Sequence, residues 1–434
     1  MILAFPTILL SSWPEWLACV IVIGAVIAGR KVPRGSIVAI LLAVPLAWYF
    51  GSAGGLLIPL SFGAVVWITF CVSMKRWQKP AEVFAILCSL ATAALCGLFP
   101  EPVPLRLEGN YPTGTATIEI AATGGKPRLL AQLWYPSLLL GHTAPVSWLP
   151  DPFLAPEFPY HRLRSAQAHS RTNAPVVTVD APLPVIFYEH SWAGHRAENI
   201  VQVESLASQG FVVVAVDHPG QAKRVRYADG SIITGRYTTT PELTTPQDVA
   251  EFKITAARCF SERSDDIERV RSALKGGAAA SLTRRLNLDR VGVFGFSFGG
   301  SCAIHLCATD PVFVAGANED GFYLFDEVPK GSFLFLDEET PAWLQSPPTA
   351  NEDAGQLLIR SAEARILTAL KQPRRERVIL DGTRHLSFSD RIYASPIPRL
   401  ARVGWRPPGE VHKILDSRLT GFFKAALRAE TTPE

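Results

Sequence analysis

The stretch Asp289–Cys302, DRVGVFGFSFGGSC, places one serine between two glycines at the junction of two predicted secondary-structure elements. Val291–Phe294 is a short apolar run that predicts a buried strand, and the small residues after Gly299 lead into a predicted helix. Gly295 and Gly299 carry no Cβ, so the strand and the helix can approach closely around a sharp turn. A serine at the apex of such a strand–turn–helix has the geometry of a nucleophile elbow, and we therefore predict that Ser297 is a catalytic nucleophile.

Predicted strands and helices alternate on both sides of this motif. The apolar runs and helical periodicities predict an antiparallel strand pair at 116–121 and 129–135, then strands at 184–188, 211–216, 290–294, 312–317, 332–336 and 377–380, with helices at 198–208, 254–274, 303–306, 356–370 and 411–428. This alternation is typical of a mostly parallel sheet with helices on both faces. Together with the elbow, it predicts an α/β-hydrolase fold over residues 104–434.

One long segment, 137–181, interrupts this alternation. It is rich in proline, histidine and serine and shows little hydrophobic periodicity. Loops of this length inside compact domains are usually lids or binding loops. We interpret the segment as an insertion that either lines the substrate entrance or meanders over the surface.

The first hundred residues differ in composition from the rest of the chain. Residues 35–74 contain no charged side chain, and a membrane span needs about 20 apolar residues, so this run is long enough for two spans. Further apolar runs precede and follow it. The sequence therefore predicts an α-helical transmembrane domain in residues 1–100, with four spans near 8–29, 36–50, 55–74 and 81–99.

Basic residues predict how these spans are oriented. Three lie in the loop 30–34 and three in the loop 75–79, whereas the hairpin 51–55 has none. Positively charged loops stay on the cytoplasmic side, so the hydrolase domain of this integral membrane protein is expected on the extracytoplasmic face, which is the periplasmic side of a bacterial inner membrane. The acidic or basic residues within the spans, Glu15 and Glu82, lie near span ends, which favours an anchor over a transporter.

A serine nucleophile needs a base, and the base needs an acid that orients it. His385 follows the predicted strand 377–380 and is the histidine after Ser297 that stands in a loop at a strand end, so it is the predicted base. The order Ser, Asp, His leaves two acids open, Asp320 and Asp337, because each follows a predicted strand.

An acyl-transfer site also needs two N–H donors for the oxyanion that forms during the reaction. One donor is expected from Phe298, directly after the nucleophile. The other is expected from the loop after the strand 184–188, where Trp192 is the candidate and would also form a wide apolar wall.

Composition and spacing exclude several partners and cofactors. The formal net charge of +3 over 434 residues gives no sign of nucleic-acid binding. The seven cysteines show neither CxxC pairs nor metal-ligand spacing, and no acidic cluster has the spacing of a calcium loop. We therefore expect no metal and no organic cofactor, and we expect the membrane and a lipid or small ester substrate as partners. Nothing in the sequence indicates an oligomeric state.

Four stretches resemble the platelet-activating factor acetylhydrolase family, in particular bacterial members with N-terminal transmembrane helices. The stretches are 183–196, 206–219, 288–300 and 382–390. The family pattern Gly-x-x-His-x-x-Phe matches Gly382–Phe388 and supports His385 as the base. The family pattern around the catalytic aspartate matches Gly316–Phe322, which favours Asp320 over Asp337.

The resemblance implies a calcium-independent ester hydrolase that works through an acyl-serine and prefers phospholipids with short or oxidised sn-2 acyl chains. The chain departs from the family at Phe296, where the family has histidine, and at 189–193, where Glu-His-Ser-Trp-Ala replaces Ser-His-Gly-Leu-Gly. These replacements bear on substrate range more than on reaction type. Two alternatives stay open: a general carboxylesterase, lipase or polyester hydrolase without phospholipid preference, and a catalytically inactive hydrolase-fold module for binding or sensing.

Overall fold

The computed structural model describes most of the chain after the predicted transmembrane domain. The described residues are 102–103, 105–138, 145–151, 154, 160–164, 166–279, 282 and 285–427. The four spans predicted near 8–29, 36–50, 55–74 and 81–99 lie outside these residues. Within the described part of the chain, no helix is both long and apolar enough to cross a bilayer.

Ten strands of the described chain form one sheet, and two more form a short hairpin. The sheet strands are β1 Thr113–Ile120, β2 Leu129–Pro136, β3 Pro145–Ser147, β4 Gln167–Thr172, β5 Leu183–Glu189, β6 Val212–Asp217, β9 Leu286–Phe296, β10 Phe313–Glu319, β11 Ser332–Glu338 and β12 Arg375–Leu380, and the hairpin strands are β7 Arg224–Arg226 and β8 Ile232–Thr234. Their order across the sheet is β12-β11-β10-β9-β5-β6-β2-β1-β4-β3. The strands from β12 to β6 run parallel, and β1 and β2 are antiparallel to each other, which confirms the predicted mostly parallel sheet.

Helices cover both faces of the sheet. The described helices are α1 Ile200–Ser208, α2 Pro246–Lys275, α3 Phe298–Thr309, α4 Ala342–Gln345, α5 Ala354–Ala369, α6 Pro398–Ala401 and α7 Pro408–Leu427. Val293 of β9 packs in one core with buried residues of α2, α3 and α5. Phe294, the next residue, points to the opposite face, where its ring lies 6.4 Å from that of Phe423 of α7.

Helices α1 and α2 start at other residues than predicted, and in opposite directions along the chain. Helix α2 begins eight residues before the predicted start at Ile254, because Thr245 and Asp248 form a capping box around Pro246. Helix α1 begins at Ile200 rather than at residue 198, and its N-cap side chain makes no capping bond.

The interpretation of the whole segment 137–181 as a long loop is wrong for β3 and for residues 167–172. Residues 167–172 form β4, which pairs with β1 in parallel register, with Thr115 opposite Thr172. The main-chain N–H groups of His169 and Ser170 donate to the buried carboxylate of Glu204 at 3.0 and 2.6 Å. The strand lacks apolar alternation, so hydrophobic periodicity could not reveal it.

The chain divides into two compact units, and the sheet strands that carry the site belong to the larger one. The segments 147–167 and 393–401 belong to the smaller unit. Within it, the rings of Trp148 and Tyr393 lie 5.7 Å apart, and the Tyr160 hydroxyl donates to the Ala401 carbonyl at 3.1 Å. These contacts join the two segments to each other.

Candidate active site

The carboxyl ends of four neighbouring parallel strands meet at one edge of the sheet. Glu189 at the end of β5 pairs with Gly295 of β9, and Glu319 at the end of β10 pairs with Phe296 of β9 and Leu336 of β11. Loops that leave such an edge of a parallel sheet are where binding sites form in α/β proteins. The predicted site residues all lie on these loops or directly beside them.

Ser297 occupies the turn between β9 and α3. Its φ of 57° and ψ of −120° lie in a left-handed conformation that costs a non-glycine residue about 1–3 kcal/mol. The Ser297 N–H donates to the Glu319 carbonyl oxygen at 2.8 Å, which ties the turn to β10. A Cβ at Gly299 would collide with the main chain of Glu189, so α3 can approach β5 only with glycine there. The strand–turn–helix predicted from the sequence is confirmed.

His385 bridges the serine and one of the two candidate acids. Its Nε2 lies 2.9 Å from Ser297 Oγ, and its Nδ1 lies 2.6 Å from Asp320 Oδ2. The second carboxylate oxygen, Asp320 Oδ1, accepts the main-chain N–H of Glu338 at 2.8 Å. The structure therefore brings Ser297, His385 and Asp320 into one hydrogen-bonded chain that has the order of a catalytic triad.

The surroundings of His385 favour the protonated imidazole. Burial lowers the pKa of His385, but the hydrogen bond to Asp320 and its negative charge raise the pKa more, so the net pKa lies above the ordinary value. A base of this kind can accept the serine proton because the imidazolium that forms is stabilised by Asp320.

Asp337, the other candidate acid, lies in a different set of contacts. Its Oδ2 accepts Arg377 Nε at 2.7 Å, and the two terminal nitrogens of Arg377 donate to the two oxygens of Glu363 at 2.6 and 2.7 Å. Burial raises the pKa of Asp337 to about 7, although Arg377 opposes the shift. The structure thus places Asp337 in an ion cluster with Arg377 rather than against the imidazole.

The two residues predicted to donate to the oxyanion line the same cleft as Ser297. Phe298 is the first residue of α3, where main-chain N–H groups have no partner within the helix. Trp192 precedes Ala193, whose φ is 50°, and its indole Nε1 donates to the Thr239 carbonyl at 2.9 Å. The indole ring meets the Phe298 ring edge-on at 5.0 Å, so both residues share one wall of the site.

A cleft of about 380 Å³ opens at the serine and the imidazole. Its aromatic walls are formed by Trp192, Phe252, Phe298, Phe322 and Trp343. Its polar part is formed by Asp320, Asp337, Glu338, Glu363, Arg377 and His385. Burial, followed by the charge of Asp320, raises the pKa of Glu338 to about 7. The cleft therefore combines a flat apolar lining with an excess of acidic groups.

Sequence reasoning missed the buried charges beneath the site. The fully buried carboxylate of Glu189 lies 3.1 Å from both Arg263 Nη1 and His218 Nε2. Arg263 also donates to the His190 carbonyl at 2.8 Å, and its guanidinium lies 5.1 Å from the centre of the Phe298 ring. A charged residue at the end of an apolar strand was the available signal, because charges are rarely buried without a partner.

The described cysteines and acidic groups show no metal-binding arrangement. No group of three or more His, Cys, Asp or Glu side chains among the described residues could hold a metal ion. Cys302 and Cys307 of α3 are free and buried, and burial raises their thiol pKa values. They are small core residues.

Comparison with known proteins supports an α/β-hydrolase fold. Residues 173–324 match the model of the Dienelactone hydrolase family. A ferulic acid esterase from Streptomyces cinnamoneus has a similar fold, with a TM-score of 0.58 and 21% sequence identity over 77% of this chain and 95% of that one. No curated protein matches the sequence. The predicted α/β-hydrolase fold is confirmed, and the bounds 104–434 stay a prediction.

Proposed function

We propose that the protein is a serine carboxylic-ester hydrolase that acts through an acyl-serine at Ser297. The observation that carries this proposal is the hydrogen-bonded chain from Asp320 through His385 to Ser297, with 2.6 and 2.9 Å between successive heteroatoms. Such a chain activates a hydroxyl group that would otherwise be a weak nucleophile.

The geometry supports a two-step reaction. Ser297 Oγ attacks the ester carbonyl carbon while His385 Nε2 takes its proton, and the carbonyl oxygen becomes an oxyanion held by the main-chain N–H groups of Trp192 and Phe298. The tetrahedral intermediate then expels the alcohol, which receives the proton from His385. In the second step His385 removes a proton from water, the hydroxide attacks the acyl-serine, and Ser297 regains its proton as the acid leaves.

Labelling with a fluorescent fluorophosphonate tests the proposal on the full-length protein in detergent. We expect the wild type to be labelled and to hydrolyse p-nitrophenyl butyrate, and the Ser297→Ala variant to do neither while keeping its melting temperature. Ser301→Ala is the matched control, because Ser301 also lines the cleft but stands in α3 away from the imidazole hydrogen bond. An unlabelled, folded wild type would favour an inactive binding or sensing module instead.

Within this reaction class we propose phospholipids with short or oxidised sn-2 acyl chains as the preferred substrates. The support is the sequence resemblance of Gly316–Phe322 and Gly382–Phe388 to platelet-activating factor acetylhydrolases. Esters of aromatic acids are the second candidate, because five aromatic side chains line the cleft and the similar fold belongs to a ferulic acid esterase. A panel containing a short-acyl phosphatidylcholine, methyl ferulate and p-nitrophenyl butyrate distinguishes these two from a general carboxylesterase or polyester hydrolase by their kcat/KM values.

We also propose that residues 1–100 anchor the hydrolase domain at the extracytoplasmic face of the membrane. The apolar spans and the two basic loops of the sequence support this arrangement. Alkaline phosphatase fused after residue 103 is expected to be active, whereas a fusion within the loop 75–79 is expected to be inactive. Equal activity of both fusions would contradict the proposed topology.

A further inference from the structure

The loop after β5 is closed around one buried carboxylate. Glu198 Oε2 accepts the main-chain N–H of Ser191 at 2.9 Å, and Glu198 Oε1 accepts the Ser191 hydroxyl at 2.7 Å. Glu198 is 5% exposed. Ser191 directly precedes Trp192, so both hydrogen bonds act one residue away from the proposed oxyanion donor.

The loop packs closely around this carboxylate, and only glycine fits at residue 194. A Cβ on Gly194 would lie 2.5 Å from Glu198 Oε2 and 2.7 Å from Ser191 Oγ, which is too close for any side chain. The Gly194 N–H donates to the Ser191 carbonyl at 3.1 Å, and the Gly194 carbonyl accepts the Lys223 N–H at 2.9 Å. Ala193, between them, holds a φ of 50°. The position of the Trp192 peptide is therefore set by contacts on both sides.

Glu198 is in turn fixed from the segment that follows the catalytic histidine. Its carbonyl oxygen accepts the Asp390 N–H at 3.2 Å, and its own N–H donates to the His195 carbonyl at 3.1 Å. The Asp390 carboxylate accepts the Ile200 N–H at 2.6 Å, at the start of α1. One residue thus links the Trp192 loop to the chain just beyond His385.

We propose that Glu198 is a positioning residue that holds the Trp192 N–H in place to receive the oxyanion. This inference rests on the proposed esterase function. Preorganised donors lower the barrier only when they stand where the negative charge develops, and small displacements of such groups reduce the rate strongly. The transition state carries the oxyanion and the substrate does not, so losing Glu198 should lower kcat while leaving KM nearly unchanged.

Glu204 provides a matched control. It lies on α1, is buried like Glu198 and also accepts two hydrogen bonds, from the N–H groups of His169 and Ser170. Those partners belong to β4, which is separated from β5 in the sheet by the strands β6, β2 and β1. A loss of stability alone is therefore expected from Glu204→Gln, which separates the effect of a lost buried carboxylate from the effect on the oxyanion loop.

The test compares Glu198→Gln, Glu204→Gln and Ser191→Ala with the wild type in detergent. The amide of Glu198→Gln keeps the side-chain size but is uncharged, so its oxygen holds the Ser191 N–H less strongly than the carboxylate does. We expect kcat for p-nitrophenyl butyrate to fall by roughly 10- to 100-fold in Glu198→Gln, less than the loss of a whole oxyanion donor. We expect a smaller fall in Ser191→Ala, which keeps the main-chain bond, and an unchanged kcat in Glu204→Gln.

A second measurement separates positioning from folding. A trifluoromethyl ketone reacts with the active-site serine to give a tetrahedral adduct that carries an oxyanion. Its inhibition constant should therefore rise in Glu198→Gln in proportion to the fall in kcat. Both are measured at a temperature well below the melting point of each variant. The inference is overturned if a folded, fluorophosphonate-labelled Glu198→Gln variant has the kcat and the inhibition constant of the wild type. It is also overturned if kcat falls by the same factor in Glu204→Gln as in Glu198→Gln. A wild type that neither labels nor hydrolyses esters overturns the proposed function, and this inference with it. If Glu198→Gln does not fold, Ser191→Ala decides by the same two readouts.

Discussion

Asp320 and Asp337 stand at the ends of neighbouring strands, yet they serve different partners. Asp320 follows β10 with a φ of 56°, which turns its side chain to His385 Nδ1. Asp337 is still within β11, and its carboxylate pairs with Arg377 of the adjacent β12. The two carboxylates therefore have different partners: Asp320 contacts the imidazole of His385, and Asp337 contacts the guanidinium of Arg377.

The comparison shows that the partner determines what a strand-end carboxylate can do. The imidazole beside Asp320 gains and loses a proton during the proposed reaction, so the carboxylate stabilises a charge that develops in the transition state. The guanidinium beside Asp337 is charged throughout, so that pair contributes to structure and to the charge of the cleft. The predictions below test this division, beginning with the largest expected effect.

The largest difference is expected in turnover. Asp320→Asn should lower kcat by about 10⁴-fold, because the amide cannot stabilise the imidazolium and favours the wrong tautomer of His385. Asp337→Asn should lower kcat by less than about 10-fold, because its partner takes no part in proton transfer. Steady-state kinetics of both variants on p-nitrophenyl butyrate measure the ratio. Equal losses would assign Asp337 to the reaction.

The next difference is expected in stability. Arg377→Met leaves the buried carboxylate of Asp337 and the partly exposed carboxylate of Glu363 without their partner, and should lower the unfolding free energy by about 3 kcal/mol. Arg365→Met is the control, because its partner Asp326 is 88% exposed and a surface ion pair contributes at most about 1 kcal/mol. Denaturant unfolding followed by tryptophan fluorescence in detergent compares them. A similar loss in both variants would mean that the Arg377 cluster is not specially stabilising.

A smaller effect is expected on the pH dependence. The base must be neutral to act, so kcat/KM should fall as the pH drops through the pKa of His385, which Asp320 raises. Asp320→Asn removes that raising contribution, so the acid limb of its residual activity should move to lower pH, by roughly one unit or more. Asp337→Asn should leave the limb nearly in place. An acid limb that moves to higher pH in Asp320→Asn would contradict this assignment.

The smallest effect is expected on substrate charge. Asp337 and Glu338, with pKa values raised to about 7, are uncharged below neutrality and negative above it. The preference for p-nitrophenyl butyrate over the anionic p-nitrophenyl succinate half-ester should therefore rise a few-fold as the pH increases through 7. Ionisation of His385 affects both esters equally and cancels in the ratio of kcat/KM values. A flat ratio in the wild type, equal to that of Asp337→Asn, would show that Asp337 does not face the substrate.

Local spacing in the sequence was enough to predict the candidate nucleophile, the candidate base and the order of strands and helices around them. Ser297 and its two glycines are recognisable because strand, turn and helix are consecutive in the chain, and His385 because it follows a predicted strand. Apolar runs predicted all six parallel strands from β12 to β6, since buried parallel strands need continuous apolar residues. The resemblance to a known family favoured Asp320, but the residues alone left it level with Asp337.

Tertiary structure decided the partner of each acid and the anchoring of the oxyanion loop. Which carboxylate meets His385 depends on backbone direction at the strand ends and on the place of Arg377 in β12, and neither is encoded in local spacing. The pairing of Glu189 with Arg263 and the pairing of β4 with β1 join residues that are distant in sequence. The hydrogen bond between Glu198 and Ser191 lies within one loop that has no periodic pattern. Hydrophobic periodicity reports which side chains leave water, whereas the choice of polar partner is made only when the packed chain brings the groups together.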